Sequence, residues 1–124
     1  MEQKHIITPM RPMTITNEMI EDILVGCFEG GSNYWITEVI CKDWKNTSYA
    51  SDVITAGGTL LIYADEGVTN GMPVANPLDL GTMLNGIQTY FNAMGTKAVE
   101  FENMDAGDND NILQFALFGE LVYG

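Results

Sequence analysis

The chain is poor in positively charged residues. Its 124 residues include 17 acids and only 5 bases, which gives a formal net charge of −12. The bases are scattered: Lys4, Arg11, Lys42, Lys45 and Lys97. Because clustered lysine and arginine drive binding to DNA, RNA and anionic lipid, the composition argues against direct contact with nucleic acid or membranes. An acidic surface fits a self-repelling soluble protein, a partner for a basic surface, or a mimic of the phosphate backbone.

Histidine and cysteine are also scarce. His5 is the only histidine, and Cys27 and Cys41 are the only cysteines. Their spacing matches no zinc pattern, and a histidine so close to the terminus argues against a histidine-based triad. Cys27 falls on the apolar face of a predicted helix, where a free cysteine is ordinarily a small buried hydrophobe. We therefore expect no metal, no cofactor and no catalytic site, with both thiols free.

Long apolar runs are missing. No window reaches the length of a membrane span, and the first thirteen residues lack the pattern of a signal peptide. We expect a cytoplasmic protein without a membrane anchor. The length and the 46% apolar content predict one domain, 1–124, with a single core.

A helical period is clear in three places. Thr16 or Asn17 can cap a first helix, which Gly30 or Gly31 is expected to end in the left-handed conformation. A second long helix is predicted from Leu80 to near Gly95. Its Gly81 and Gly86 are explained if they pack closely on a strand. A last helix is predicted from its cap Asp105 to Gly119.

Strand signals alternate with these helices. Residues 35–41 are rich in β-branched and aromatic side chains and predict a central strand, and residues 59–63 predict an interior one. A third strand is predicted at 98–101, a short helix at 49–56, and a long functional or mobile loop at 67–77. Residues 1–13 are expected to form an edge strand or an oligomerisation arm, and the last four residues a strand or a subunit contact. The fold class that follows is α+β: a single compact domain with a mixed, mainly antiparallel sheet packed by two or three helices.

The acidic run from Asp105 to Asp110 invites a calcium interpretation. Counting from Asp105, the twelfth position, which should hold a bidentate acid, is Ala116. The run therefore fails the loop template. Capping by Asp105, with solvated acids in the first turn, explains it better.

The strongest candidate for a binding site follows the first glycine pair. Asn33 offers hydrogen-bonding groups, Tyr34 and Trp35 offer stacking faces, and Gly31 can present a backbone amide. The same combination of aromatic and amide side chains recurs at Phe91, Asn92 and Gln114. These seven residues are the predicted ligand-binding set. Packing of Trp35 in the core and simple helix termination by the glycines are open alternatives.

Two motifs add a family resemblance. Residues 28–35 (FEGGSNYW) and residues 114–124 (QFALFGELVYG), with residues 49–52 leading to 57–60, resemble a family of small acidic proteins encoded by phages and prophages of Firmicutes and gut bacteria. Many small phage proteins of this size and acidity are anti-defence factors. This family is similar in kind to the Thoeris anti-defence sponges, which oligomerise and sequester nucleotide-derived immune signals. It implies residence in the cytoplasm of an infected bacterial host.

Two functions are therefore expected. The first is a non-enzymatic, homo-oligomeric sponge that binds a cyclic nucleotide or an ADP-ribose-type signal, with Asn33 contacting a base or ribose edge and Tyr34 or Trp35 stacking. The second is an acidic inhibitor or nucleic-acid mimic that binds a basic surface of a host defence protein. Its acids are Glu18, Glu21, Asp22, Asp105, Asp108 and Asp110.

Overall fold

The computed structural model describes residues 3–7, 12–69, 72–95 and 103–124. Within these ranges the helices are α1 (Asn17–Gly26), α2 (Ala50–Val53), α3 (Leu80–Met94) and α4 (Ala106–Phe118), and the strands are β1 (Ile36–Cys41), β2 (Leu60–Thr69) and β3 (Met72–Leu78). These elements make one compact α+β domain, which confirms the predicted fold class. The strand predicted at 98–101 lies outside the described residues.

Helix α1 begins as the sequence predicts and ends differently. The Thr16 hydroxyl accepts from the Met19 amide, and the Met19 sulfur accepts from the Thr16 amide, so the first turn is capped on both sides. At its other end α1 continues into a π-helical turn, Cys27–Gly31. Gly30 has a φ of 163°, which is extended backbone, so the expected left-handed stop is wrong. The explanation for Gly31 is instead close packing, because a Cβ there would lie 2.9 Å from the Ala106 carbonyl oxygen.

The described sheet is antiparallel, with strand order β1-β2-β3. β2 is its central strand, and the fully buried Leu60 and Ile62 confirm the interior position predicted for residues 59–63. β1 lies at an edge of this sheet, not at its centre, and Thr37 and Glu38 are exposed. Strand propensity reports a pleated surface that is at least half buried, and it does not say how many neighbours a strand has.

The predicted long loop at 67–77 is wrong for most of its length. β2 extends to Thr69 and pairs with β3, with Val68 opposite Pro73 and Leu61 opposite Pro77. The glycines, the asparagines and the two prolines of this segment predict a loop. Both prolines are compatible with β3 because it lies at an edge of the described sheet, where a missing amide donor can face outward.

Helices α3 and α4 pack against each other closely. A Cβ on Gly86 would lie 2.4 Å from the Ala116 Cβ, so only glycine allows this approach. Gly86 therefore packs against a helix, and the prediction that it packs on a strand is wrong. Gly81 makes no such approach, since its Cβ would meet only an Asp79 oxygen at 3.6 Å.

Helix α4 has both predicted ends. The Asp105 side chain accepts from the Asp108 amide, and the Asp108 side chain accepts from the Asp105 amide. Gly119 ends the helix in the left-handed conformation with φ 73°. The short helix α2 is also confirmed, and the chain turns after it at Gly57, whose φ is 95°.

The two chain ends form no strand in the residues that are described. Residues 3–7 and 12–16 are coil, with Ile6 93% and Ile7 82% exposed, so the expected edge strand is not formed there. The oligomerisation role of this arm stays a prediction. Residues 121–124 are also coil, and they are held by side chains instead of a sheet.

One apolar core joins the helices to the sheet. Its buried members come from the four helices, the π-helical turn, the turn before β1, β2 and β3, and they include Leu24, Val53, Leu60, Met83 and Leu113. None of the described helices has the length and apolarity required to cross a membrane.

Candidate functional site

Residues 32–35 form the tight turn that carries the chain from the π-helical turn into β1. The Ser32 carbonyl accepts from the Trp35 amide at 3.2 Å and from the Ile36 amide at 3.0 Å. This reversal turns Ser32 and Trp35 inward, where both are fully buried, and leaves Asn33 and Tyr34 exposed. The segment predicted as a binding site is thus divided between the core and the surface.

The inward side chains meet Asp110 of α4. Its Oδ1 accepts from the Ser32 hydroxyl at 2.6 Å and from the Trp35 indole N–H at 2.7 Å. Its Oδ2 accepts from the Tyr34 hydroxyl at 2.5 Å and from the Gln114 amide at 3.0 Å. Asp110 is only 4% exposed. Since an indole N–H and an amide NH₂ can only donate, the carboxylate form matches all four partners.

Gln114 extends this network to the end of the chain. It lies one turn after Asp110 on α4, so both side chains leave the same face of the helix. Its Oε1 accepts from the amides of Val122 and Tyr123, each at 2.8 Å, and its Nε2 also donates to the Tyr123 carbonyl at 3.1 Å. The Gln114 side chain therefore satisfies the backbone of the terminal segment in place of a strand partner.

Aromatic packing closes the same region. The Trp35 ring stacks on Tyr123 with centroids 5.1 Å apart and an interplanar angle of 4°, and Phe118 lies 5.6 Å from Trp35. Because Trp35 has no exposed surface, it is a core residue. Of the two interpretations that the sequence left open for Trp35, core packing is the one that the structure adopts.

The other predicted ligand-binding residues lie in different settings. Asn33 is exposed, and Tyr34 is 53% exposed although its hydroxyl points to Asp110. On α3, Phe91 contacts Tyr90 edge-on with centroids 5.0 Å apart, and Asn92 accepts from Gln88 at 2.9 Å. The structure brings Tyr34, Trp35 and Gln114 together through Asp110, and it places Phe91 and Asn92 on a separate helix.

Burial controls the acidity of the two titratable groups beside this network. Burial raises the pKa of the Tyr34 hydroxyl to about 12, and its hydrogen bond to Asp110 and the charge of Asp110 act in the same direction. Burial likewise raises the pKa of the Cys27 thiol to about 12; the charge of Asp110 adds to this effect, and a hydrogen bond with Ser32 opposes it. Cys27 therefore stays a neutral thiol near pH 7, as expected of a buried structural cysteine.

Asp110 is predicted from the sequence as a solvated acid, and this prediction is wrong because the residue is buried. The residue sits on the buried face of α4 with Leu113 and Gln114. A signal was present in the sequence. Asp110 and Gln114 are four residues apart, on the face of the helix that carries its apolar side chains. An acid and an amide on such a face predict a buried hydrogen-bond network more than a solvent-exposed surface.

The surface acids form a second polar region. Glu18 and Asp22 on α1 and Asp105 at the start of α4 are exposed, while Glu21 accepts from the Thr55 hydroxyl at 2.9 Å. Among the described residues, the ion pair found is Lys45 with Asp43, 3.2 Å apart. Most of the negative charge of this surface therefore has no ion-pair partner in the part of the chain that the structure describes.

An open groove lies on this acidic surface, between the first half of α1 and the start of α4. Its volume is about 420 Å³. Its lining combines two acids with apolar and neutral polar side chains: Thr16, Glu18, Met19, Asp22, Ile23, Met104 and Asn109. No group of three or more potential metal ligands is found within the described ranges.

Comparison with family models, curated proteins and solved structures found no match for the chain. The resemblance to phage proteins drawn from the sequence motifs therefore stays a prediction. What the two motifs do in the fold is nevertheless clear from the contacts. Residues from both of them, Tyr34, Trp35 and Gln114 among them, meet at Asp110.

Proposed function

We propose that this is a non-catalytic binding protein whose acidic surface attaches to a basic surface of a partner, as an acidic inhibitor or a nucleic-acid mimic. The observation that carries the proposal is uncompensated charge. The chain has a net charge of −12, and one ion pair, Lys45 with Asp43, is found among the described residues. Such a surface attracts a positively charged protein over distances near the Debye length and accelerates its association.

Several of the exposed acids are held on helices. Glu18 and Asp22 lie one turn apart on α1, and Asp105 is anchored as the cap of α4. Carboxylates fixed on rigid elements present a defined pattern of negative charge, as the phosphates of a duplex do. The resemblance to small phage proteins favours a nucleic-acid-binding defence protein of the bacterial host as the partner.

A salt titration tests this proposal. The immobilised protein is incubated with host lysate at low salt, and bound proteins are eluted with rising salt or with duplex DNA. We expect specific partners to elute with both, because the Debye length falls to about 3 Å at ~1 M salt and DNA competes for the same basic surface. Partners that remain bound at ~1 M salt, or the absence of any partner at low salt, would contradict the proposal.

A second candidate is the sponge for a nucleotide-derived immune signal. Exposure of Asn33 and Tyr34 on a turn held rigidly by Asp110 favours it, because a preorganised ring and amide can contact a base at low entropic cost. Trp35 and Gln114 are buried, so the ligand would meet Asn33 and the outer face of Tyr34. The sponge is expected to be a homo-oligomer, which a size measurement tests.

Thermal denaturation against a panel of cyclic nucleotides and ADP-ribose isomers tests this candidate. A ligand at ~100 times its Kd adds about 2.7 kcal/mol to the free energy of unfolding, which gives a clear rise in Tm. The rise should shrink in Asn33→Ala and Tyr34→Ala and persist in Asn92→Ala. If no member of the panel raises Tm, the sponge candidate fails.

A further inference from the structure

We infer that residues 3–7 of a second copy of this chain pair, as an added strand, with the outer edge of β1. The inference goes beyond the proposed function and does not depend on it. Two observations carry it. One is an exposed apolar segment, and the other is a sheet edge along which the core is only partly covered.

Residues 3–7 combine the composition of a strand with full exposure to water. All five residues are coil and exposed, and Ile6 and Ile7 are 93% and 82% exposed. Adjacent isoleucines favour the pleated, half-buried surface of a sheet, and leaving them in water is unfavourable. Pro9 follows closely and cannot donate to a ladder, so the segment suits a short strand.

β1 offers an edge for such a strand. It pairs with β2 on one side, and among the residues that the structure describes no strand pairs with its other side. An edge strand presents a row of amide and carbonyl groups to which a further strand can bind. Many extended peptides bind sheets in this way.

The other edge strand of the described sheet, β3, is less suitable. Pro73 and Pro77 lie within β3, and each lacks an amide donor. β1 contains no proline, so none of its donors is missing. The edge that can accept a strand along its length is therefore β1.

The core is also incompletely covered along β1. Val39 and Cys41 pack against the core and are nevertheless only half-buried. The residues opposite them on β2, Ile62 and Leu60, have no exposed surface. Because successive side chains of a strand face opposite sides of a sheet, one of two adjacent isoleucines in an added strand must face the core side. That isoleucine would cover the part of the core that β1 leaves exposed.

Charge favours a second copy of the same segment as the occupant. Residues 1–13 hold two of the five bases of the chain and one of its 17 acids, so they are the basic part of an acidic protein. Lys4 lies within the added strand, and Glu38 of β1 is exposed. Within one copy residues 3–7 are coil, so the edge they pair with belongs to another copy. Each copy can donate one segment and accept one, which makes the interface self-complementary.

Sedimentation equilibrium of the full chain over a range of concentrations tests the inference. Ile6→Ser/Ile7→Ser changes residues that are already exposed, so the Tm of the single copy should stay the same. Its control, Val74→Ser/Leu84→Ser, changes two exposed apolar residues on β3 and α3. We expect the segment variant to raise the dimer Kd at least about tenfold and the control less than about twofold. Equal effects of the two variants, or a wild type that stays monomeric at ~1 mM, would overturn the inference.

The salt dependence separates this contact from the proposed function. Two copies with a net charge of −12 repel each other, and this repulsion exceeds the local attraction of Lys4. Dimerisation should therefore be stronger at ~0.5 M salt than at ~0.05 M, whereas binding of a basic partner weakens over that range. A dimer that dissociates as salt rises would mean that bases attach to surface acids, and strand pairing would be overturned. Absence of a basic partner in lysate would leave dimerisation unchanged.

Amide hydrogen exchange locates the contact. Exchange should slow at the amides of residues 6 and 7 and at amides of β1 as the dimer fraction rises, and it should stay unchanged in β3. Slower exchange in β3 in place of β1 would assign the contact to the other edge and overturn the inference. Protection of residues 6 and 7 that is equal at all protein concentrations would mean that the segment pairs within its own copy, which would also overturn it.

Discussion

Asp110 and the pair Glu18 and Asp22 carry the same chemical group in opposite environments. Asp110 is buried and accepts four hydrogen bonds from side chains, whereas Glu18 and Asp22 are exposed beside an open groove. A buried carboxylate is tolerated only when its acceptor sites are satisfied, so the hydrogen bonds of Asp110 serve the fold and leave none for a partner. An exposed carboxylate costs little in isolation and stays available to a partner. If this division holds, loss of the buried carboxylate should destabilise the fold far more than loss of an exposed one.

Removal of the Asp110 carboxylate should be the most damaging change. Asp110→Ala leaves the indole of Trp35, the hydroxyl of Ser32 and the amide of Gln114 without their shared acceptor. We expect the free energy of unfolding, measured by urea denaturation, to fall by about 3–5 kcal/mol. Asp22→Asn, the matched surface control, should change it by less than about 0.5 kcal/mol. Equal losses in the two variants would remove the distinction between the regions.

Loss of the Gln114 amide should have a smaller effect that is located at the chain end. Gln114→Met keeps the volume and removes the acceptor for the Val122 and Tyr123 amides. We expect a loss of about 2 kcal/mol and faster hydrogen exchange at these two amides. Gln88→Met, at an exposed position of α3, is the control. Unchanged exchange at Val122 and Tyr123 would show that Gln114 does not hold the terminal segment.

The Tyr34 hydroxyl should contribute about 1 kcal/mol near neutral pH, which Tyr34→Phe removes. Folding raises the pKa of Tyr34 from 10.0 to about 12 and that of Cys27 from 9.0 to about 12. Because each folded-state pKa is raised, the linked stability is fully present below pH 9 and is lost as pH rises through about 12.

Urea denaturation across this alkaline range tests whether the free energy of unfolding falls as pH rises. Wild type should lose stability above pH 9, and Tyr34→Phe should lose less between pH 10 and about 12. Identical slopes for wild type and Tyr34→Phe would argue against the contact with Asp110.

Neutralising the groove should change stability least. Glu18→Gln/Asp22→Asn removes a like-charge pair from α1, so we expect the free energy of unfolding to stay within about 0.5 kcal/mol of wild type or to rise slightly. Thermal denaturation at low and high salt measures this, with Glu29→Gln/Glu38→Gln as the control. A large loss of stability would mean that Glu18 and Asp22 support the fold, as Asp110 does.

Local rules predicted several elements correctly. The caps Thr16 and Asp105, the left-handed Gly119 and the interior position of β2 all follow from short stretches of sequence, because capping and apolar runs involve residues close in the chain. The hairpin of β2 and β3 does not follow from local sequence, because prolines within a segment are typical of a loop. A strand tolerates prolines at the edge of a sheet, and the pairing of the strands decides which strand lies at the edge.

The candidate site was predicted in part. The sequence identified Asn33, Tyr34, Trp35 and Gln114 as unusual, and all but Asn33 contact Asp110 in the fold. The sequence could not assign them to the surface or the interior. Tyr34 and Trp35 are placed by contacts with side chains of α4, which lie 75 to 80 positions away along the chain.

The sequence by itself determined the α+β class, the ends of the last helix and a strongly negative charge, since these depend on local pattern and composition. Tertiary structure alone decided what each acid does. α4 packs its Asp110 against the turn of Trp35, while α1 leaves Glu18 and Asp22 in water. The physical reason is that the cost of a carboxylate depends on its surroundings, and those surroundings are assembled from residues distant in the chain.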